Sequence, residues 1–456
     1  MKILFLIPEY LSGRSFLQPP IDILLIDKIL KEKDWESDLI DNRIEKLPLK
    51  ELVKKIKKIN PNILLVTTSP YDVSQNYFVE FRIYVAEKTI FYLKQNFPTI
   101  PMIITGPHGS IRPDILLKDI KYSTDIIIQW EYDITLPQVL EVLKSYEFNI
   151  KKATKKLKEI PNLIIIKRHK LNKNIKIIKT RYSEKLAHPE NYLIIPRLKL
   201  IEKYKNKYFG DRYEDNKYKK VNKFGIVLFQ RGCPFNCAFC FKFLGNWRQF
   251  NNGCKEDFFK AVAEWKKFGY KDLFVADYVF GLTDEYLKLF VELSKKFSDV
   301  HFYIQTRADL INENTIDFYN QINIGFIWLG IESFSNKIQK NIKKYDNVNK
   351  IFKALKILKE NKLNFGGFVQ FGLPGETTKS INRTLFYINK LKIPYTPSII
   401  LHTPLYGTET YLWAKKQYPY IGNNWSDISS IRGLVKNKIS PSTLLELVRL
   451  LRKHKK

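Results

Sequence analysis

Cysteine is scarce in this chain: there are four among 456 residues, and three of them fall within one eight-residue stretch. So few thiols, so placed, exclude a disulfide framework. The fourth, Cys254, has no Cys-x-x-Cys or His-x-His nearby to complete a zinc finger and reads as a small buried hydrophobe. Long apolar runs are absent as well, and none reaches the length of a membrane span. The opening Met1-Lys-Ile-Leu-Phe-Leu-Ile-Pro8 has too short an apolar core for a secretory signal and meets Glu9 at once. A reducing cytoplasm is the expected setting. Acidic residues are few against basic ones, 46 to 77, for a formal charge of +31.

That charge has two readings. An AT-rich genome favours Lys, Asn and Ile codons, and all three residues are plentiful here. The other reading is an acidic partner: nucleic acid, an anionic membrane surface or a phosphorylated substrate. Basic residues are spread along the chain. The densest run, 151–181, holds twelve Lys or Arg and one acid, Glu159. Codon bias is the simpler account. The expectation is therefore weak, non-specific and salt-sensitive nucleic-acid binding, with no specific nucleic-acid partner and peripheral membrane contact left open. At 45% hydrophobic and 456 residues, the chain is long enough for two or three domains with a sizeable core.

Over residues 1–150, strand-like and helix-like runs alternate. Residues 2–7, 62–67, 101–105 and 125–129 read as buried strands. Residues 21–33, 49–59, 76–96 and a run ending near 145 read as helices. This alternation predicts a parallel, doubly wound sheet, whose ligands sit beyond the carboxyl ends of the strands. Those ends carry Thr68, Ser69, Gly106, His108 and Glu131. Residues 151–223 read as a basic connector. It contains a β-hairpin, 163–166 with 175–179, and a stretch of interleaved tyrosine and lysine, 200–223. That stretch reads as a packed linker rather than a base-stacking surface.

Six further runs have the spacing of strands in an α/β barrel: 224–229, 272–276, 301–305, 326–331, 367–371 and 398–401. Helices fit between them. Residues 256–268 carry acids in their first turn and Gly269 just past their end, Thr283 can cap 284–297, and 349–361 is amphipathic. Barrel chemistry collects at the carboxyl ends of the strands. There stand Cys233-Pro-Phe-Asn-Cys237-Ala-Phe-Cys240, Asp277, Arg307, Glu332, Gly372 to Glu376, and His402. Thiolates suit iron–sulfur clusters and zinc. Three of them can hold three irons of a cubane and leave the fourth iron open. His402 is a candidate acid–base group, with a structural role as the alternative. Residues 411–456, with Trp413, Trp425 and a basic terminal helix, read as a cap on the barrel.

The C-x3-C-x2-C spacing after a strand, with Phe239 before the last cysteine, resembles the radical S-adenosylmethionine (SAM) enzymes. So do Phe274-Val-Ala-Asp277, Tyr303-Ile-Gln-Thr-Arg-Ala-Asp309, Leu329-Gly-Ile-Glu-Ser333, Gly372-Leu-Pro-Gly-Glu-Thr377 and Thr403-Pro-Leu-Tyr-Gly-Thr408, in the family's order across 224–410. The resemblance implies a partial (β/α)6 barrel with a 4Fe-4S cluster on Cys233, Cys237 and Cys240. It implies SAM on the open iron, cleaved to a 5′-deoxyadenosyl radical by an electron from an external flavodoxin- or ferredoxin-type donor. SAM contacts are implied for Phe239, Asp277, Arg307, Glu332, Gly372 and Gly375.

The amino-terminal sheet resembles the cobalamin-binding domain that precedes this barrel in one large subfamily. The family's Gly-Gly-x-His and Gly-Glu-Gly-Glu turns correspond to Gly106-Pro-His-Gly-Ser110 and Trp130-Glu-Tyr-Asp133. Here Pro107 replaces the second glycine of the first turn, and only Glu131 survives of the other. The Asp-x-His-x-x-Gly signature that ligates cobalt is absent, as it generally is in that subfamily. The implied cobalamin contacts are Thr68, Ser69, Gly106, His108 and Glu131. The implied domains are a cobalamin-binding-like domain at 1–150, the connector at 151–223, the barrel at 224–410 and an extension at 411–456. The implied activity is cobalamin-dependent methylation of an unactivated carbon in a small-molecule or lipid-like substrate. The alternatives are ring closure or rearrangement without methyl transfer, or RNA modification. A tRNA methylthiotransferase would need a second cysteine trio near the amino terminus and a terminal RNA-binding barrel, and neither is visible.

Overall fold

A computed structural model describes residues 1–9, 17–69, 79–130, 132–168, 175–183, 194–214, 217–241, 255–393, 399–419 and 421–425. Glu131, Cys254 and the expected terminal helix lie outside them. The chain forms two compact units, one built on Met1–Tyr208 and the other beginning at Phe209.

The first unit holds β1 (Lys2–Ile7), β2 (Glu36–Asp41), β3 (Ile63–Thr67), β4 (Met102–Thr105), β5 (Ile126–Ile128), β6 (Leu163–Arg168) and β7 (Ile175–Lys179). They line up as β2-β1-β3-β4-β5-β6-β7. The first five are parallel, and β6 and β7 run antiparallel at one edge. Strands such as Ile63-Leu-Leu-Val-Thr67 are buried along their whole length, as a sheet covered on both faces requires. The order 2-1-3-4-5 is that of a doubly wound fold, which turns ligands toward the carboxyl ends of its strands.

The expected hairpin is present, and β6 joins it to β5, so it extends the first sheet. Asp125 fixes this join. Its carboxylate accepts from Lys94 Nζ at 2.7 Å, Arg168 Nη1 at 2.8 Å and the Met102 amide at 2.8 Å. Two of the tyrosines in the basic stretch are buried anchors: Tyr208 donates to Asp41 Oδ2 at 3.1 Å, and Tyr204 donates to Glu45. These hydrogen bonds tie the two phenols into the first unit.

The second unit begins with a two-stranded sheet, β8 (Phe209–Glu214) and β9 (Lys217–Asn222), paired antiparallel. Then come β10 (Phe224–Val227), β11 (Asp272–Val275), β12 (His301–Arg307), β13 (Ile324–Glu332), β14 (Phe365–Phe371) and β15 (Ile399–Leu401). These six are parallel and stand in chain order, the arrangement of a partial (β/α)6 barrel. Helices Asp284–Lys296 and Asn349–Glu360 fall where the periodicity puts them, and Thr283 caps the first by accepting from the Tyr286 amide at 3.3 Å. β10 is shorter than its apolar run because the amides of Phe229 and Gln230 turn to the Asp277 carboxylate instead of continuing a ladder.

Candidate active site

Asp277, just past β11, fixes the root of the cysteine loop. Its Oδ1 accepts from the amides of Phe229 at 2.8 Å and Gln230 at 2.9 Å, and its Oδ2 accepts from the Tyr286 hydroxyl. Burial outweighs these donors and pushes the Asp277 pKa up to about 7. Both carboxyl oxygens are thus occupied by protein donors.

Within the loop, the Cys240 amide donates to the Cys237 carbonyl at 3.0 Å, and the Ala238 amide donates to the Ile342 carbonyl at 2.9 Å. Phe239 packs on Ile338, Ile342 and Leu373. Residues 238 and 239 therefore anchor the loop between its thiols. Cys233, Cys237 and Cys240 are in no disulfide. Among the described residues, no three Cys, His, Asp or Glu side chains converge as the ligands of one metal ion would. A cubane takes one thiolate per iron, so its ligands stand farther apart. Three thiols on one anchored loop fit that cluster.

Arg307 ends β12 against this loop. Its Nη1 donates to Cys237 Sγ at 3.5 Å, and the guanidinium lies 3.7 Å from the centre of the Phe235 ring. Nε and Nη2 clamp Asp309 at 2.9 and 2.8 Å, and Nη2 also donates to the Lys344 carbonyl at 2.7 Å. The fork places a fixed positive charge beside a sulfur that is negative when metallated.

Glu332 ends β13 at φ +61°, in the left-handed region, with a register shift between Gly330 and Glu332. A non-glycine residue held there costs about 1–3 kcal/mol and is typical of sites where geometry is imposed by the surroundings. The surroundings are specific. Oε1 accepts from Lys344 Nζ at 2.5 Å, and Oε2 accepts from Gln370 Nε2 at 2.8 Å. Burial alone would lower the Lys344 pKa; the Glu332 carboxylate reverses this and holds it above the usual lysine value. Gln370 Oε1 in turn faces His402 Nδ1 at 3.1 Å. Glu332 and Arg307 each have a partner of their own, Lys344 and Asp309.

The turn after β14 opens with Gly372 at φ +80° and contains Gly375 at φ +78°. The positive φ at Gly375 favours glycine, and a Cβ there would also push Asn341 Nδ2, 2.5 Å away, from its place. Glu376 Oε2 accepts from the amides of Gly372 at 2.5 Å and Leu373 at 3.3 Å. Burial pushes the Glu376 pKa up to about 7. With these two amides occupied, the turn offers a ligand close backbone approach but neither of those donors.

In the first unit, Thr68 and Gly106 follow β3 and β4. Thr68 Oγ1 donates to the Thr105 carbonyl at 3.1 Å and lies 2.9 Å from His108 Nδ1. The hydroxyl proton being used, His108 donates from Nδ1. Gly106 stands at φ +107°, and a Cβ there would lie 2.5 Å from Thr68 Oγ1. Thr68, Ser69, Gly106 and His108 are all buried, and Thr105 Oγ1 is buried without a hydrogen-bond partner among the described residues. A rim of hydroxyls and backbone fits an uncharged, amide-bearing ligand such as cobalamin. Trp130 is placed by its amide, which donates to Ser110 Oγ at 2.7 Å.

The barrel residues absent from the sequence-based candidates are Lys344, Gln370 and Asp309. Lys343 and Lys344 look alike in sequence, yet Lys343 is exposed on Glu409 while Lys344 is buried on Glu332. Gln370 did leave a signal, as the one polar side chain in Phe365-Gly-Gly-Phe-Val-Gln-Phe371.

The sequence model of the radical SAM superfamily matches residues 227–388. An uncharacterized methyltransferase of Pyrococcus horikoshii is 22% identical over 99% of this chain and 91% of its own. The radical SAM methyltransferase TsrM from Kitasatospora setae, solved with cobalamin and a [4Fe-4S] cluster bound, is similar with a TM-score of 0.65 and 13% identity, over 91% of this chain and 75% of that one. OxsB, a cobalamin-dependent SAM radical enzyme solved with aqua-cobalamin and SAM bound, has a TM-score of 0.63 and 15% identity, over 100% of this chain and 61% of that one. Both likenesses are of fold.

Proposed function

Given a radical SAM enzyme, with its domain at residues 227–388, we propose that it methylates an unactivated carbon of a small-molecule or lipid-like substrate, with cobalamin as methyl carrier. The observation that carries the reading is the pairing, in one chain, of a thiol loop at a six-stranded parallel half-barrel with a 2-1-3-4-5 sheet whose strand ends are neutral and polar. When bound, the cluster supplies the electron that splits SAM, and cobalamin carries the methyl group.

The chain's own residues do the positioning. Cys233, Cys237 and Cys240 would hold the cluster, on a loop rooted by Asp277 and packed through Phe239. Arg307 holds positive charge at Cys237, and Glu332, oriented by Lys344 and Gln370, would offer its carboxylate to the polar part of SAM. Gly372 and Gly375 let backbone approach the base. Thr68, Ser69, Gly106 and His108, with Glu131, would hold cobalamin. Buried, pre-oriented groups of this kind lower the barrier by fixing reactants in line and keeping water out. An external flavodoxin- or ferredoxin-type protein is the expected electron source.

The test is anaerobic. Protein reconstituted with iron and sulfide, with and without cobalamin, is given SAM and a reductant. S-adenosylhomocysteine should form only with cobalamin present, and 5′-deoxyadenosine in both cases. With the true substrate, the two products and the methylated product should appear in equal amounts. Product with deoxyadenosine but no S-adenosylhomocysteine, at full cobalamin occupancy, would replace this reading by cyclisation or rearrangement.

A further inference from the structure

The relay from Lys344 through Glu332 and Gln370 ends on an atom with nothing to bond. Among the described residues, His402 Nε2 is buried without a hydrogen-bond partner, and the residue is 1% exposed. Leaving such an atom unpaired costs about 1–3 kcal/mol, so it calls for a ligand.

The relay fixes the tautomer. Glu332, paired with the Lys344 cation, accepts, so the Gln370 atom 2.8 Å from it is the amide nitrogen. The Gln370 carbonyl then faces His402 Nδ1 at 3.1 Å, and Nδ1 must carry the proton. Nε2 is left as a bare lone pair. Burial keeps the ring neutral, with a pKa pushed down to about 3. Nε2 therefore accepts and does not donate. Carbonyls, carboxylates and phosphates are excluded as partners; an N–H or O–H is required.

The position narrows the donor further. Leu401 lies in register with Phe371, and the His402 amide donates to the Phe371 carbonyl at 2.7 Å. His402 thus stands beside Gly372, at the mouth of the turn whose Gly372 and Leu373 amides are occupied by Glu376. A ligand edge resting on that corner meets an acceptor where backbone donors are used up. The adenosine part of SAM has such an edge, with an exocyclic amine and two ribose hydroxyls.

We propose that His402 Nε2 is a fixed hydrogen-bond acceptor for the adenosine part of SAM. This rests on the reading of the barrel as the SAM site. It makes His402 a binding residue, not an acid–base catalyst.

The experiment measures SAM binding calorimetrically on the anaerobically reconstituted holoenzyme, using wild type, His402→Asn and His402→Gln. Asn keeps an N–H for Gln370 but has no acceptor in place of Nε2; Gln puts an amide oxygen near it. Affinity should fall about tenfold in His402→Asn and stay within about threefold of wild type in His402→Gln. SAM analogues lacking the 6-amino, 2′-hydroxyl or 3′-hydroxyl group complete a double-mutant cycle. The analogue missing the contacted donor should lose affinity on wild type and lose none further on His402→Asn. Iron content and thermal midpoint confirm that each variant is intact. Independently of any variant, the nitrogen-15 signal of Nε2 in histidine-labelled wild type should move upfield when SAM binds. Unchanged SAM affinity in His402→Asn, additive losses with all three analogues, or an unmoved Nε2 signal would each overturn the proposal. Wild-type holoenzyme that carries its cluster yet neither binds nor cleaves SAM would overturn the SAM reading of the barrel itself, and the proposal with it.

Discussion

Thr68, Ser69, Gly106 and His108 stand at the ends of β3 and β4; Arg307, Glu332 and Gln370 stand at the ends of β12, β13 and β14, with Lys344 held among them. The first set has hydroxyls, one imidazole and a glycine turn, and a histidine that donates to a threonine. The second has two ion pairs, the buried Lys344–Glu332 and the part-buried Arg307–Asp309. A neutral rim binds by shape and by many weak hydrogen bonds, so it suits a large uncharged ligand. A charged rim is costly to bury and is kept only when each charge has a partner. It suits a charged ligand, where small displacements alter the chemistry. Two histidines make the contrast concrete. His108 is bonded to Thr68 at the neighbouring strand end, whereas His402 ends a relay on a nitrogen that has no partner among the described residues.

The comparison is broken most severely by removing the thiols. Replacing Cys233, Cys237 and Cys240 together by Ala should abolish iron uptake and SAM cleavage while cobalamin absorbance persists; a variant that still holds four irons and makes deoxyadenosine would refute the cluster assignment. Lys344→Met comes next. It leaves Glu332 buried and unpaired, at a cost of about 3–5 kcal/mol in urea unfolding. A loss under 1 kcal/mol would mean the carboxylate is not committed to Lys344.

The third effect concerns pH. Burial pushes Asp277 and Glu376 up to about 7. Folded protein therefore keeps protons that the unfolded chain releases above about pH 4, and stability falls as pH rises from about 4 to about 7. Asp277→Asn or Glu376→Gln should flatten the curve by about 1.4 kcal/mol for each pH unit removed. His402 acts in the opposite sense: held neutral down to about 3, it lets stability fall as pH drops from about 6.5. Urea midpoints between pH 4.5 and 8 check this, and an unchanged slope in both carboxamide variants would contradict it.

The smallest effect belongs to the neutral rim. Gly106→Ala forces a Cβ toward Thr68 Oγ1 at φ +107° and should cost about 1–2 kcal/mol. Cobalamin affinity should drop while substrate-free SAM cleavage stays at the wild-type rate. Equal losses in both would show that the two rims do not act separately.

Much of the fold was legible beforehand because its signals are local. Apolar runs and caps placed all six barrel strands and three of the barrel's helices, and Thr283 caps its helix as expected; the helix Thr378–Lys390 was not foreseen. The basic stretch 151–181 was harder. Its hairpin was visible, but its membership of the first sheet depends on β5 pairing with β6 and on Asp125, which meets Lys94 and Arg168 from different elements. Asp277 was found by position, but its partners were not: Tyr286 lies nine residues on, and the amides it holds lie 48 and 47 residues back.

What the sequence determined by itself is the set of thiols, proposed here as cluster ligands, carried on one short segment. A cluster loop needs three thiols at fixed spacing, and a glycine turn needs residues free to adopt positive φ; both are properties of neighbours in the chain. The tertiary structure decided the partners. Lys344 to Glu332 spans 12 residues, Gln370 to Glu332 spans 38, and His402 to Gln370 spans 32. Nothing local distinguishes Lys344 from Lys343, or ties His402 to a glutamine on the neighbouring strand. Those pairings exist because parallel strands bring their carboxyl ends together, and because a charge buried there is stable only beside its opposite.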